Sequence, residues 1–198
     1  MKNKFIVIEG CDFTGKSSVI ETLGKSLELG GIKFKLTKAL GGTEYGEKCR
    51  DYVMKYSGKV PNSFILDKMI ESIQYMNDEI VSHAQKDGYF VICDRYYHST
   101  LVYQGICQNA LEMANERLSK ANLIEPDLTF ILDCSTEEIL RRKSMRNETN
   151  SLDPKDKAEI DKIREGYLLL AQRKNIILIE GGGKTIDEIC AKILSYCA

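Results

Sequence analysis

The sequence lacks a strong charge of either sign. Its 198 residues contain 28 Lys and Arg against 29 Asp and Glu, which gives a formal net charge of −1 at pH 7. A chain balanced in this way has no overall attraction to nucleic acid or to an anionic membrane surface. We therefore predict that neither is a partner, and that any site for a polyanion must be local.

Long apolar runs and a leader segment are also missing. The first residues, MKNKFIVIEG, contain a short apolar run but not the longer apolar region and small-residue cleavage site of a secretory signal. No apolar stretch approaches the roughly 20 residues that cross a bilayer. The seven cysteines are scattered and form no CxxC pair, which fits free thiols in a reducing compartment better than disulfides or a zinc site. These absences predict a cytoplasmic protein.

Short apolar runs alternate with longer amphipathic segments along the whole chain. The runs lie at 5–8, 34–36, 89–93, 128–132 and 176–179, and the helix candidates lie near 17–29, 44–56, 64–87, 107–121, 136–146, 155–173 and 185–196. Nearly continuous apolar runs are typical of strands covered on both faces, and strand–helix alternation indicates a parallel sheet. We predict an α/β fold: a three-layer sandwich with a five-stranded parallel sheet flanked by helices. Because no repeat or linker interrupts the pattern, we expect one domain over 1–198.

The strongest local signal matches the pattern GxxxxGK[ST] and lies between an apolar run and a helix candidate. Its residues are Gly10, Cys11, Asp12, Phe13, Thr14, Gly15, Lys16 and Ser17. Glycines let the backbone wrap a phosphate, and the following helix presents its positive end to the same anion. Lys16 is then expected to reach the β- and γ-phosphates, and Ser17 to bind Mg²⁺. An incidental strand–turn–helix is the alternative, and the motif leaves the reaction open.

A second polar cluster follows the third apolar run. It begins with Asp94 and Arg95 and continues to Tyr103 and Gln104. In a parallel sheet it emerges at the same edge as the first loop. There Arg95 could bind a phosphate bidentately, Asp94 could orient Mg²⁺, and the Tyr and Gln could contact a base. A structural Asp–Arg pair among core aromatics is the alternative.

Basic residues precede a polar stretch that is the best candidate for a mobile surface loop. Arg142 and Arg146 are four positions apart, a spacing that can place them on one helix face. Phosphoryl transfer needs positive charge at the transferring group, often from a closing segment, and position 13 of the glycine-rich loop is Phe, not Arg. We predict a lid over about 142–156 that supplies this charge. A solvated charged helix surface is the alternative.

Five segments in order, over nearly the whole chain, resemble the thymidylate kinase family. They are Phe5 to Ser18; Gly41-Gly42-Thr43 with Glu47 and Arg50; Cys93 to Tyr96 with Ser99 to Gly105; Glu125 to Thr129 with Leu132-Asp133; and Ile163 to Tyr167 with Leu170-Ala171.

The resemblance implies a homodimeric, Mg²⁺-dependent kinase that transfers the γ-phosphate of ATP to dTMP. It implies catalytic roles for Lys16, Asp12, Asp94, Arg95, Arg142 and Arg146, with Ser17 and Asp94 at the metal. ATP would be bound by Gly10, Cys11, Asp12, Phe13, Thr14, Gly15, Lys16, Ser17, Ser18, Arg142, Gly181 and Gly182. The acceptor would be bound by Asp12, Lys38, Arg50, Gln74, Arg95, Ser99, Tyr103 and Gln104.

The sequence differs from the family pattern at two places near the acceptor. Lys38-Ala39-Leu40 replaces Arg-Glu-Pro, and an ungapped alignment puts Gln74 near the place where the family has an Arg that hydrogen-bonds the base. Lys38 keeps the charge without the bidentate fork, and the amide of Gln74 both donates and accepts. Three other functions are therefore weighed: a kinase for another monophosphate such as dUMP, a kinase for a small hydroxylated metabolite, and an inactive nucleotide-binding homologue.

Overall fold

The computed structural model describes residues 4–146 and 152–197. In chain order these residues form β1 (Phe5–Glu9), α1 (Lys16–Leu29), β2 (Phe34–Lys38), α2 (Glu44–Tyr56), α3 (Asn62–Met76), α4 (Ser82–Lys86), β3 (Phe90–Asp94), α5 (Tyr97–Thr100), α6 (Leu111–Ser119), β4 (Leu128–Asp133), α7 (Thr136–Ser144), α8 (Lys157–Leu170), β5 (Ile176–Glu180) and α9 (Ile186–Cys197). A π-helical turn, Asn77–Val81, joins α3 to α4, and a second, Leu101–Ile106, continues α5.

The five strands form one parallel sheet in the order β2-β3-β1-β4-β5. Strand β1 lies at its centre and is buried along its whole length, which explains its unbroken apolar run. Its partners are β3 on one side, where Ile8 pairs with Asp94, and β4 on the other, where Glu9 pairs with Ile131. The predicted α/β sheet is confirmed, and the carboxyl ends of β1 and β3 lie next to each other.

The core lies on both faces of the sheet, because successive side chains of a strand point to opposite faces. Ile6 and Ile8 of β1 pack with the apolar sides of α1 and α9. Phe5 and Val7 pack on the opposite face with Ile73 and its neighbours on α3. Helices α3, α7 and α8 also enclose a further buried cluster on that face. The helices packed on the two faces of the sheet fix the loops that follow the strands, and these loops lie at the carboxyl edge of the sheet.

The segment after β3 is helical from Tyr97 to Ile106, whereas the sequence pattern predicts the next helix near 107–121, and that prediction is wrong at its start. The reason is that no local side chain caps α5. Its cap is Glu9, distant in sequence, whose Oε1 accepts from the backbone N–H of Tyr96 at 2.7 Å and of Ser99 at 3.1 Å. Because the cap comes from another strand, the sequence next to α5 contains no N-cap residue that would mark the start of the helix.

None of the helices that the structure describes is long and apolar enough to cross a bilayer.

His98 on α5 is buried, with 3% of its surface exposed. Its ring stacks on Tyr97 with 4.1 Å between the ring centroids. Its Nδ1 has no hydrogen-bond partner among the described residues. Burial, and then the positive charge of Arg173, lower the pKa of His98 from 6.5 to about 3. The folded protein therefore keeps this ring neutral at pH values where the unfolded chain takes up a proton.

We expect this neutral ring to make stability depend on pH. Its contribution is complete above about pH 6.5 and is lost as the pH falls toward 3, because protonation then favours the unfolded chain. Relative to His98→Asn, the wild type should lose about 1.4 kcal/mol of unfolding free energy per pH unit below 6.5. Urea unfolding between pH 7.5 and 5 measures this. The exposed His83 supplies the control, since His83→Asn should keep the wild-type pH dependence; equal slopes for His98→Asn and wild type would contradict the expectation.

Candidate active site

The glycine-rich loop between β1 and α1 wraps around its own lysine. Lys16 is 7% exposed, and its Nζ donates to the carbonyl oxygens of Gly10 at 3.0 Å and Cys11 at 2.7 Å. Burial, and then the charge of Arg95, lower the pKa of Lys16. Gly10 has a φ of 135°, and a Cβ added there would lie 2.3 Å from the carbonyl oxygen of Leu132. The loop backbone thus binds the ammonium group of Lys16, and a side chain at position 10 would prevent the loop from taking this path.

The start of α1 is open to an anion. No side chain caps this helix, so its first N–H groups are available to a phosphate, and the helix dipole favours negative charge there. Ser17 and Ser18 lie in its first turn, are exposed, and line the adjacent cleft. Thr14 points inward and its hydroxyl donates to the carbonyl of Cys11 at 2.9 Å.

Arg95 follows β3 with a left-handed backbone φ of 62°. Its Nη2 donates to Oδ1 of Asp12 at 2.6 Å, and its guanidinium lies 5.4 Å from the ring centroid of Tyr103. The Tyr103 hydroxyl also donates to Asp12, at 3.2 Å. Burial opposes the ionisation of Asp12, but the charges of Arg95 and Lys16 outweigh it and lower the pKa of that carboxyl. Asp12 and Arg95 therefore form an ion pair at neutral pH. The same contacts hold Arg95 in its left-handed backbone conformation.

The loops after β1 and β3 meet at one atom. Nη1 of Arg95 donates to the carbonyl oxygen of Gly10 at 3.0 Å, the same distance and the same oxygen as Nζ of Lys16. Both side chains line a cleft of about 940 Å³ at the carboxyl edge of the sheet. Two cations converge here in a space large enough for two phosphate-bearing ligands.

Asp94 offers a carboxylate oxygen to the same cleft. Its Oδ1 is buried and accepts no hydrogen bond from any described residue. A buried carboxylate oxygen without a protein partner suits Mg²⁺, bound directly or through water. The described residues contain no group of three or more acidic, His or Cys side chains placed to hold a metal. Phosphate oxygens and water would therefore complete the coordination, as Mg²⁺ prefers.

The side of the cleft near α3 and α5 combines apolar walls with unpartnered polar atoms. Gln104 is 9% exposed, and its Oε1, like Oγ1 of Thr100, finds no partner in the described ranges. The apolar side chains that line the same cleft are Val53, Ile65, Met69 and Ile73. A flat ring with polar edges fits such a surface. The apolar wall was not predicted from the sequence.

Lys38 and Arg50 line the cleft from β2 and α2. Nζ of Lys38 lies 2.8 Å from the carboxylate of Glu47. Ser99 and Tyr103 also line the cleft. The structure therefore brings every predicted acceptor residue except Gln74 to one cavity, where their roles stay predictions.

Gln74 lies outside this cleft. Its Nε2 donates to the carbonyl of Ala121 at 3.0 Å, and it borders a separate depression of about 270 Å³. The preceding residue, Ile73, lines the cleft instead. This placement gives no support to base recognition by Gln74.

The two predicted lid arginines meet the glycine-rich loop at Phe13, whose backbone φ is 68°. Nη1 of Arg142 donates to the carbonyl of Phe13 at 3.2 Å, and its Nε donates to Glu138 at 2.6 Å. The guanidinium of Arg146 lies 5.7 Å from the centroid of the Phe13 ring. Both arginines line the cleft. Of the predicted lid, residues 147–151 lie outside the described residues.

Gly181 and Gly182 follow β5 near the same edge but do not line the cleft. The N–H of Gly181 donates to the carbonyl of Asp133 at 2.8 Å. Ile186, at the start of α9, lines the cleft in their place and was missed. An isolated apolar residue opening a helix carries no sequence signal for a ligand.

Glu9 and Tyr167 were also missed. Glu9 is fully buried at the end of β1, and its Oε2 accepts from the Tyr167 hydroxyl at 2.9 Å. Tyr167 in turn accepts from Nη1 of Arg95 at 2.9 Å. Burial raises the pKa of Glu9, and the charge of Arg95 is the first of the effects that oppose it. A charged residue that ends an apolar strand directly before the glycine-rich loop was the signal that could have found it.

This geometry first defines a class. A parallel sheet with a glycine-rich loop after β1 and an Arg-bearing cleft after β3 is the architecture of the P-loop kinases of nucleoside monophosphates. The chain belongs to the thymidylate kinase family, whose family model, described as thymidylate kinase, matches residues 8–193.

Individual relatives agree. The thymidylate kinase of Chlamydia caviae is 33% identical over 199 residues, covering 96% of this chain and 95% of the relative. That of Carboxydothermus hydrogenoformans is also 33% identical over 199 residues, covering 99% and 97%. The crystal structure of thymidylate kinase from Ehrlichia chaffeensis matches with a TM-score of 0.76 at 22% identity, covering 100% of this chain and 99% of that one. This last similarity supports the fold.

We expect Gly10→Ala to destabilise the protein strongly. The new Cβ would collide with the Leu132 carbonyl in a backbone conformation that only glycine adopts readily. A loss of roughly 3 kcal/mol, or about 6–12 °C in Tm, is expected by thermal unfolding. Gly182→Ala is the matched control, because a Cβ there has no atom within 4 Å. A Gly10→Ala variant as stable as the control would show that the loop is not constrained in this way.

Proposed function

We propose that the protein transfers the γ-phosphate of ATP to dTMP, giving dTDP and ADP. The observation that carries this proposal is the shared contact of Lys16 and Arg95 with the carbonyl of Gly10, 3.0 Å from each. Two cations at one point of one cleft can hold the donor and acceptor phosphates side by side. Membership of a family whose relatives are named thymidylate kinase supports dTMP as the acceptor.

On the donor side, the glycine-rich loop and Lys16 bind the ATP phosphates. The loop N–H groups and the start of α1 supply the donors, and Ser18 and Ile186 border the same region. Ser17 and Asp94 would hold Mg²⁺, which neutralises charge on the β- and γ-phosphates when bound. The orphaned Oδ1 of Asp94 supports this assignment.

On the acceptor side, Arg95 grips the monophosphate, with Lys38 and Arg50 as assistants. Asp12 faces the sugar and keeps Arg95 in place. Gln104 lies at the base edge, where its Oε1 has no partner among the described residues, and Ser99 and Tyr103 complete the wall. A hydrogen-bond partner for this oxygen would come from the bound base.

Transfer itself needs no protein nucleophile. An acceptor phosphate oxygen attacks the γ-phosphorus in line, and the protein contributes position and positive charge. Arg142 and Arg146, already at the loop through Phe13, would move onto the transferring group as the lid over about 142–156 closes. Closure would exclude water from the cleft.

Three further assignments complete the proposal. The chain would form one kinase domain over 1–198. It would act in the cytoplasm, which is consistent with cysteines that are all free thiols. It would be a homodimer through α2 and α3, where Phe64 and Tyr75 are exposed and Tyr75 stacks on Tyr45 with 4.1 Å between centroids. Sedimentation velocity tests the last point, and a monomer at micromolar concentration would refute it.

A panel of monophosphates in a coupled ADP-release assay tests the function. We expect dTMP to have the highest kcat/KM, above dUMP, dCMP and dGMP. Lys16→Ala should lower kcat at least about 100-fold with dTMP, because a preorganised positive group is removed from the transferring phosphate. Lys25→Ala, on the exposed side of the same helix in a pair with Glu21, is the matched control and should match wild type. Equal rates with all acceptors, or unchanged turnover in Lys16→Ala, would defeat the proposal.

For the metal, we expect Asp94→Asn to raise the Mg²⁺ concentration that gives half the maximal rate, by about tenfold. The amide keeps the shape of the carboxylate but removes its charge, which Mg²⁺ ligation favours. Rates measured over a Mg²⁺ titration at saturating ATP give this value. An unchanged half-maximal concentration would exclude Asp94 from the metal site.

A further inference from the structure

Glu9 is a carboxylate that the substrates cannot touch. It is fully buried at the end of β1 and is absent from the lining of the cleft. An ionised side chain in such a position is costly unless every acceptor site is filled. The hydrogen-bond donors around Glu9 therefore indicate its role.

Four donors surround this carboxylate. Oε1 accepts from the N–H groups of Tyr96 and Ser99 at 2.7 and 3.1 Å. Oε2 accepts from the hydroxyls of Ser99 and Tyr167 at 2.6 and 2.9 Å. A carboxylate has about four lone-pair sites and no proton to donate, so these four bonds fill an ionised Glu9.

The polarity of the two hydroxyls follows from these bonds. Each hydroxyl has one proton, and both protons are directed at Oε2 of Glu9. The two oxygens, 2.9 Å apart, therefore turn lone pairs toward Nη1 of Arg95, which lies 3.1 Å from Ser99 and 2.9 Å from Tyr167. Without the carboxylate, either hydroxyl could direct its proton at the other oxygen or at the cation.

We propose that Glu9 is a positioning residue that aims Arg95 at the acceptor phosphate by fixing the protons of Ser99 and Tyr167. The Gly10 carbonyl and these two hydroxyls share the two N–H groups of Nη1, and Asp12 accepts one N–H of Nη2. Nε of Arg95 has no partner within the described residues, so Nε and the second N–H of Nη2 remain for a phosphate. The inference rests on the proposed function, because it assigns Arg95 to the acceptor.

Two substitutions separate this role from simple packing. Glu9→Gln keeps the volume but replaces one acceptor oxygen by an NH₂ group. That group must face either the two backbone N–H donors or the two hydroxyls, and in the second case it turns the hydroxyl protons toward Arg95. Tyr167→Phe removes one link and leaves Glu9 in place.

Kinetics and binding of these variants test the inference. We expect Glu9→Gln and Tyr167→Phe each to raise both the KM for dTMP and the Kd of dTMP in calorimetry without ATP, by about tenfold, with the KM for ATP within twofold of wild type. The double variant should be no worse than the poorer single variant, because both act through one chain of contacts. Thermal unfolding confirms that each variant is folded, and Tyr167→Phe carries the test if Glu9→Gln is not.

Tyr96→Phe is the matched control. Its hydroxyl is also buried, but its hydrogen-bond partners are the Asn77 side chain and the Ile124 carbonyl, outside the Arg95 network. The KM values of this variant should therefore match wild type. A dTMP KM within twofold of wild type in Glu9→Gln, or an equal rise in the KM for ATP, would overturn the inference. A wild type that neither binds nor phosphorylates dTMP would instead overturn the proposed function.

Discussion

The structure depends on the placement of one backbone carbonyl, that of Gly10, between two cations. Lys16 reaches it from the start of α1 and Arg95 reaches it from the end of β3. This is possible because β1 and β3 are parallel neighbours, with Ile8 opposite Asp94, so that their loops leave the sheet at one edge. It also requires glycine at position 10, since the loop turns against the Leu132 carbonyl with no room for a side chain.

The positive charges of Lys16 and Arg95 lie so close together that they need negative charges nearby. Two carboxylates supply them. Asp12 lies beside Arg95 at 2.6 Å, and Glu9 lies beneath it, linked through Ser99 and Tyr167. Removing one member of such a buried network leaves another charge uncompensated. The network therefore constrains β1, α5 and α8 together, and the same contacts that stabilise the folded chain orient the groups of the cleft.

Much of this could be predicted from the sequence because the signals were local. The apolar runs and the GxxxxGK[ST] pattern located β1, the loop and Lys16, and strand order brought Asp94 and Arg95 to the same edge. What could not be predicted depends on distant partners. Glu9 caps α5 across 87 positions of the chain, so the start of that helix has no nearby cap. Which face of α3 meets the cleft depends on how that helix packs, and the packing places Ile73 rather than Gln74 there.

Several cations of the cleft share a further property: they already hold an acceptor of the protein. Lys16 holds the carbonyls of its own loop, Lys38 holds Glu47, and Arg142 holds Glu138 and the Phe13 carbonyl. A phosphate oxygen that displaces such an acceptor replaces one hydrogen bond by a charge-assisted one, so the net gain on binding is smaller than the contact alone suggests. The return is that the side chains are ordered before the ligand arrives, which lowers the conformational entropy lost on binding. For a reaction whose catalysis consists of position and charge, an ordered set of cations with exchangeable partners is the arrangement that electrostatic preorganisation requires.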